Sequence, residues 1–378
     1  MTVHGVYRTD LQALADRGRL RTLRGRSGVD LASNDYLGLA ESEELRKAAA
    51  DALARGVPVG SGGSRLLRGN HPEHEALERE AAAFFGAESA LYFGGGYVAN
   101  FAIFSTLPQR GDLVVHDELI HASVHDGIRR GRAESVSVRH NDADAFDAAI
   151  VKWRKAGGKG RPWLSIESLY SMDGDSPDLK ELFAVADRHE AMVVIDEAHA
   201  TGVLGPQGRG LAAPFEGRDN VITLHTCGKA LGTSGGFILA PKVIRDFLVN
   251  RARPFIYATA PSPLIAAVTR AALELTRTSS ARRERLAHLV RFAGGELRRR
   301  CDIEPSGSQI VPVIVGADQA AVELAASLQR RGFDIRAIRP PTVPEGTARL
   351  RIALTLHVDE TIVADLFAAL AEDMRYAA

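Results

Sequence analysis

The chain has 378 residues, enough for one large hydrophobic core and a smaller second lobe, because single cores stop growing near about 250–300 residues. Basic and acidic side chains are equal at 47 each, so the summed field attracts neither nucleic acid nor an anionic membrane, and small molecules are the expected partners. Two cysteines, Cys227 and Cys301, exclude a disulfide framework. Residues 1–14 lack the apolar core of a secretory signal, and no apolar run approaches the ~20 residues that cross a bilayer, so a reducing cytoplasm is expected.

Arginine and leucine recur at helical spacing over residues 6–23, followed by a short strand over 29–32, which together read as an N-terminal arm. Between about 45 and 240, helical patterns alternate with apolar runs at 89–93, 113–116, 163–167, 192–196, 221–224 and 236–239. Such alternation predicts a mostly parallel sheet covered by helices. Residues 264–300 turn helical and arginine-rich, reading as one long helix that acts as a hinge. Runs at 310–315, 334–337 and 350–353 then read as strands of a smaller α+β lobe. The expected organisation is an arm over 1–37, a large domain over 38–272 and a small domain over 273–378. Neither internal repeats nor low-complexity tracts interrupt it.

Thr226-Cys227-Gly228-Lys229-Ala230-Leu231-Gly232 places one lysine among small residues just after an apolar run. Upstream, the run ending in Asp196-Glu197-Ala198-His199 puts a carboxylate and an imidazole at the carboxyl end of a buried strand, where open α/β sheets hold ligands. Gly94-Gly95-Gly96-Tyr97-Val98-Ala99-Asn100 follows a strand and opens a helix, so its backbone N–H groups can face an anion. Lysine for an aldehyde, carboxylate for a protonated ring nitrogen and backbone donors for a phosphate are the needs of pyridoxal 5′-phosphate. His121, between a strand and a helix, can lie on a flat ring or simply cap the helix. Ser171, in an Asp-Gly turn, can donate to a ring oxygen or serve only the turn. No metal site is expected.

Val194-Ile195-Asp196-Glu197-Ala198-His199 also matches the magnesium-binding strand of DEAH helicases, but that chemistry needs a phosphate loop ending Gly-Lys-Ser/Thr. Here Gly228-Lys229 is followed by Ala230 and Gly158-Lys159 by Gly160, so the helicase reading fails.

These motifs, with Ser33-Asn34-Asp35-Tyr36-Leu37-Gly38, residues 60–64, His121-Ala122-Ser123 and Ser171-Met172-Asp173-Gly174-Asp175, resemble the α-oxoamine synthases over nearly the whole chain. The resemblance implies a fold-type I pyridoxal-phosphate-dependent C-acyltransferase. Its active site would lie at a homodimer interface, and it would join an amino acid to an acyl thioester with loss of carbon dioxide. It further implies that Lys229 bonds the cofactor aldehyde, Asp196 holds the ring nitrogen, His199 and Ser171 the ring oxygen, and that His121 stacks on the ring. Gly96, Tyr97 and Thr226 would hold the phosphate, with Thr259 of the partner subunit. Arg351 would bind the amino-acid carboxylate, while Asn34, Arg339, Thr342 and an N-terminal arginine, Arg24 or its neighbour Arg21, would meet the acyl group. The segment 338–344 and residues 346–351 resemble the branch that uses L-alanine and a pimeloyl thioester, carried by coenzyme A or a carrier protein. Glycine- and serine-using branches are the alternatives. Ala200 departs from the glycine usual in the family and adds one methyl group.

Overall fold

The computed structural model describes residues 3–377, so the first two residues of the expected arm and the last of the small domain lie outside it. Its strands, in chain order, are β1 (Val29–Asp30), β2 (Ser89–Phe93), β3 (Leu113–Asp117), β4 (Glu134–Val138), β5 (Pro162–Glu167), β6 (Met192–Asp196), β7 (Val221–Thr226), β8 (Gly236–Ala240), β9 (Ile310–Gly316), β10 (Phe333–Asp334), β11 (Arg336–Ile338) and β12 (Ala348–Ala353). Two compact units divide the chain: residues 37–170 with 176–283, and the described parts of 1–36 and 284–378 with 171–175.

In the larger unit, seven strands form one sheet in the order β2-β8-β7-β6-β5-β3-β4, in which only β8 runs against the others. Every residue of β6 is buried because helices cover both faces. Met192 and Val194 join one core cluster with Phe104 and Leu224, whereas Val193 and Ile195 join another with Phe146 and Leu164. The flanking helices start at side-chain caps: Asp142 accepts from Ala145 N–H, and Asp178 from Lys180 and Glu181. Strand β4 escaped the sequence pattern because it is an edge strand whose first four residues are exposed, so no apolar run marks it.

The smaller unit contains the antiparallel sheet β11-β12-β9 and the parallel pair β1-β10. Three sequence expectations change here and at its border. The first helix stops at Asp16, two residues before Gly18, whose φ of 68° breaks the periodicity expected to reach residue 23. The strand expected over 334–337 is two short strands, interrupted where Ile335 N–H turns back to Phe333 C=O. The single long helix expected over 264–300 is a pair, Pro263–Thr278 and Ser280–Cys301, separated by the non-helical Ser279.

Two stability predictions arise in the larger unit. Gly235 has φ +114°, and a Cβ there would sit 2.3 Å from the Tyr92 ring. Gly235→Ala is therefore expected to lower unfolding free energy by about 1–3 kcal/mol, through strain and overpacking, as measured by urea denaturation. His74 is fully buried, with its Nε2–H directed at Pro261 C=O (2.8 Å) and Nδ1 accepting from His71 N–H (3.2 Å). Burial, reinforced by Arg65, lowers its pKa from 6.5 to about 4. The unfolded chain takes up this proton first, so the contribution is intact above pH 6.5 and is lost as the pH falls towards 4. Its slope is at most about 1.4 kcal/mol per pH unit. Thermal unfolding across that window should fall less steeply in His74→Gln, which cannot titrate.

Candidate active site

In the larger unit, chemistry-bearing residues gather at the carboxyl ends of the parallel strands. Asp196 ends β6, Thr226 ends β7, Lys229 follows three residues later, and His121 follows β3. The helix Gly96–Thr106 begins just after β2. Register brings its start to β7, because Gly236 of β8 pairs with both Phe93 and Thr226. A Cβ on Gly236 would lie 3.0 Å from Gly96 N, and one on Gly96 would lie 3.4 Å from Thr226 Oγ1. Two glycines thus allow a helix N-terminus to approach Thr226 closely. Gly95 provides no side-chain cap, so the first-turn N–H groups can serve an anion.

Lys229 Nζ lies 2.7 Å from His199 Nε2, and His199 is buried. Asp196 is also buried: one oxygen accepts from Ala198 N–H (2.9 Å), the other from Asn100 Nδ2 (2.7 Å). His121 caps the helix Ala122–Arg130, its Nδ1 accepting from Ser123 N–H. The helix cap foreseen as the alternative to a stacking ring is therefore present. Surrounding protein desolvates His121 and lowers its pKa, while Asp196 raises it and Lys229 lowers it. Tyr97 donates its hydroxyl to Asp126, which raises its own pKa, and stands edge-on to His121 with centroids 6.2 Å apart. Thr259 is exposed between the short helix Arg253–Ile256 and Pro263–Thr278. Ala200, the departure from the family pattern, is fully buried. Sequence reading quoted Asn100 and Ser123 in motifs but gave them no role, because nothing local shows that Asn100 meets a carboxylate 96 positions away.

The smaller unit carries the expected substrate residues. Arg351 is buried in β12, donating from Nε to Ser171 C=O (2.6 Å) and from Nη2 to Asn34 Oδ1 (3.0 Å) and Tyr36 Oη (3.3 Å). Its neighbour two positions back, Arg349, is tied to Asp173 instead. A cavity of about 700 Å³ is lined by Arg21, Arg24, Arg336 and Arg339. Arg24 donates to Gln329 (3.1 Å), Arg336 pairs with Asp334, and Arg339 donates to Gly18 C=O. Burial lowers the Arg339 pKa, with Arg21 and Arg24 adding repulsion. Arg21 makes no hydrogen bond or ion pair among the described residues. Thr342 is exposed in the turn closed by its N–H to Arg339 C=O.

Among the described residues no three His, Cys, Asp or Glu side chains gather as a metal site, and no helix is long and apolar enough to cross a membrane.

Comparison with known proteins agrees with this geometry. The family model for aminotransferase class I and II matches residues 26–366. The 8-amino-7-oxononanoate synthase of Anaeromyxobacter dehalogenans is 43% identical over 377 residues, covering 96% of this chain and 94% of its own. Among solved structures, serine palmitoyltransferase from S. paucimobilis superposes with a TM-score of 0.89 at 28% identity, covering 99% and 98% of the two chains. The 8-amino-7-oxononanoate synthase from Francisella tularensis gives 0.77 at 25% identity, covering 93% and 99%. A mostly parallel sheet with these residues at its carboxyl edge, in a chain matched almost end to end, belongs to the class I and II aminotransferase family, in the α-oxoamine synthase branch that includes 8-amino-7-oxononanoate synthase.

Proposed function

We propose that the protein catalyses the pyridoxal-phosphate-dependent, decarboxylative condensation of L-alanine with a pimeloyl thioester to 8-amino-7-oxononanoate, a step of biotin biosynthesis. The observation that carries this reading is the convergence of Lys229, His199, Asp196, His121 and the uncapped helix start at Gly96, in a chain 43% identical to a synthase of that name.

The donor set fits the cofactor. Helix N–H groups beside Thr226 suit a phosphate, the buried Asp196 suits a protonated ring nitrogen, and Lys229, three residues after Thr226, brings an amine to within 2.7 Å of His199 Nε2. Bound there, the cofactor supplies an electron sink for charge developing at the amino acid's Cα. Gly96, Tyr97 and Thr226 hold the phosphate, joined by Thr259 of the partner subunit in a homodimer. Asp196 keeps the ring nitrogen charged, His121 covers the ring, and His199 with Ser171 holds its oxygen. Lys229 would hold the cofactor through its aldehyde, and its Nζ, once released, would move the substrate's α-proton.

Arg351 pairs with the alanine carboxylate. Asn34 fixes that guanidinium through its Oδ1 and reaches the acyl substrate. Arg24, with Arg21 beside it, and Arg339 meet the far carboxylate of the pimeloyl chain, and Thr342 flanks it. An arginine-lined cavity suits a dicarboxylic acyl chain because guanidinium forks bind carboxylates in two contacts.

A serine-using branch is the second reading, favoured by the higher TM-score of serine palmitoyltransferase. Backbone similarity reports the shared fold, whereas 43% identity over 377 residues is to a relative named 8-amino-7-oxononanoate synthase, so the alanine reading stands first. Alanine, glycine and serine offered against pimeloyl, acetyl and palmitoyl thioesters test it through thiol release and product mass. The alanine and pimeloyl pair should give the highest kcat/KM. Arg24→Ala and Arg21→Ala should raise KM for the pimeloyl thioester more than for an uncharged acyl chain. Equal losses for both chains, or a better glycine or serine pair, would withdraw the substrate assignment.

A further inference from the structure

We infer that His121 is held as the neutral tautomer with its proton on Nε2, and that Asn100 and Ser123 are positioning residues that impose this state from Asp196. Hydrogen-bond polarity is fixed at the two links from Asp196 to Ser123, and a backbone donor fixes the last. Asp196 Oδ2 is a carboxylate oxygen and only accepts, so the atom of Asn100 that lies 2.7 Å away is Nδ2. The other Asp196 oxygen is occupied by Ala198 N–H, which prevents the carboxylate from turning. The second proton of Asn100 Nδ2 goes to Ser123 Oγ, 3.1 Å away. That hydroxyl lies 2.7 Å from His121 Nδ1 and can donate to it or, through its second lone pair, accept from it.

A backbone donor makes the last step compulsory. Ser123 N–H lies 3.3 Å from the same Nδ1, and a backbone N–H cannot accept. A proton on Nδ1 would face that backbone donor, so Nδ1 keeps its lone pair, Nε2 carries the hydrogen and the Ser123 hydroxyl donates to Nδ1. Asn100, Ser123 and Asp196 are 2%, 0% and 7% exposed, so the links among them are shielded from water, whereas the His121 ring is exposed. The charged and titratable groups around the ring are Asp196, Lys229, His125 and Tyr97, the last engaged with Asp126. Desolvation, with Lys229 adding repulsion, lowers the His121 pKa and so favours the same uncharged ring.

In consequence, His121 offers substrate a hydrogen-bond donor that needs no proton uptake from solvent, and the Asp196 carboxylate is coupled to it through two uncharged side chains. The catalytic consequence rests on the proposed function, but the tautomer does not.

Nitrogen-15 spectra of histidine-labelled protein test it, with His121 assigned by its disappearance in His121→Gln. The expected result is an unprotonated Nδ1 and a protonated Nε2 that persist as the pH falls through the ordinary imidazole value of about 6.5. Ser123→Ala should let the ring protonate roughly one pH unit higher, since one donor is lost. Ser123→Thr, which keeps the hydroxyl, should restore the original signature. The matching kinetic readout is a kcat–pH profile whose acid limb moves upward in Ser123→Ala and returns in Ser123→Thr. A wild-type ring protonated on Nδ1 overturns the inference, as does an unaltered titration in folded Ser123→Ala. The spectra require no substrate, so an error in the proposed reaction would leave them readable, and the wild-type spectrum decides even if a variant fails to fold.

Discussion

Lys229→Ala is expected to abolish turnover and to remove the borohydride-stable attachment of the cofactor, while pyridoxal phosphate should still bind, more weakly. Lys229 closes the turn after β7, where Cys227 N–H bonds Gly235 C=O (2.9 Å) and Thr233 N–H bonds Cys227 C=O (2.9 Å). That turn is held by backbone, so truncating the lysine leaves its frame in place. The side chain's Nζ, 2.7 Å from His199 Nε2, is the base assigned to the α-proton. Losing a positioned general base alone costs about 10²–10⁴-fold in rate. The helix start at Gly96 and Thr226 are untouched, so the proposed phosphate site should remain. Peptide mapping after borohydride reduction measures the first effect. A label on a different lysine, or turnover within tenfold of wild type, would overturn the assignment.

Asp196→Asn is expected to lower kcat by several orders of magnitude while leaving the fold intact. An amide cannot balance a charged ring nitrogen, and one pKa unit of lost support equals about 1.4 kcal/mol. The substitution also carries a structural cost. Asp196 presents two accepting oxygens to two donors, Asn100 Nδ2 and Ala198 N–H. An asparagine has only one oxygen, so one donor meets an NH₂ group, costing about 1–3 kcal/mol of stability. Steady-state kinetics and thermal unfolding measure the two effects separately. Near-normal turnover with a lowered melting temperature would mean that Asp196 serves only the loop and the asparagine amide.

The expected runs at residues 89–93 and 192–196 coincide with β2 and β6, because strands buried on both faces carry an unbroken apolar signal. Lys229, Asp196 and the glycines before the Gly96–Thr106 helix were legible for a related reason: their chemistry needs a particular residue at the end of a strand, and strand ends are visible in the pattern. Edge strand β4 was not legible, since exposed Glu134-Ser135-Val136-Ser137 resembles a loop. Nor was the break at Ser279, where helical periodicity continues on both sides.

The sequence by itself determined the sheet, the residue types that suit the cofactor, and their order along the chain, because all of these follow from local periodicity and side-chain chemistry. Only the tertiary structure decided which partners those residues have. Asn100 meets Asp196 through the packing of a helix on strands far apart in sequence. Arg351 faces Asn34 while Arg349 is tied to Asp173, and Arg24 is engaged with Gln329 while Arg21 is not. Hydrogen-bond direction and ion pairing depend on distances of a few ångströms between remote segments, which no local pattern encodes.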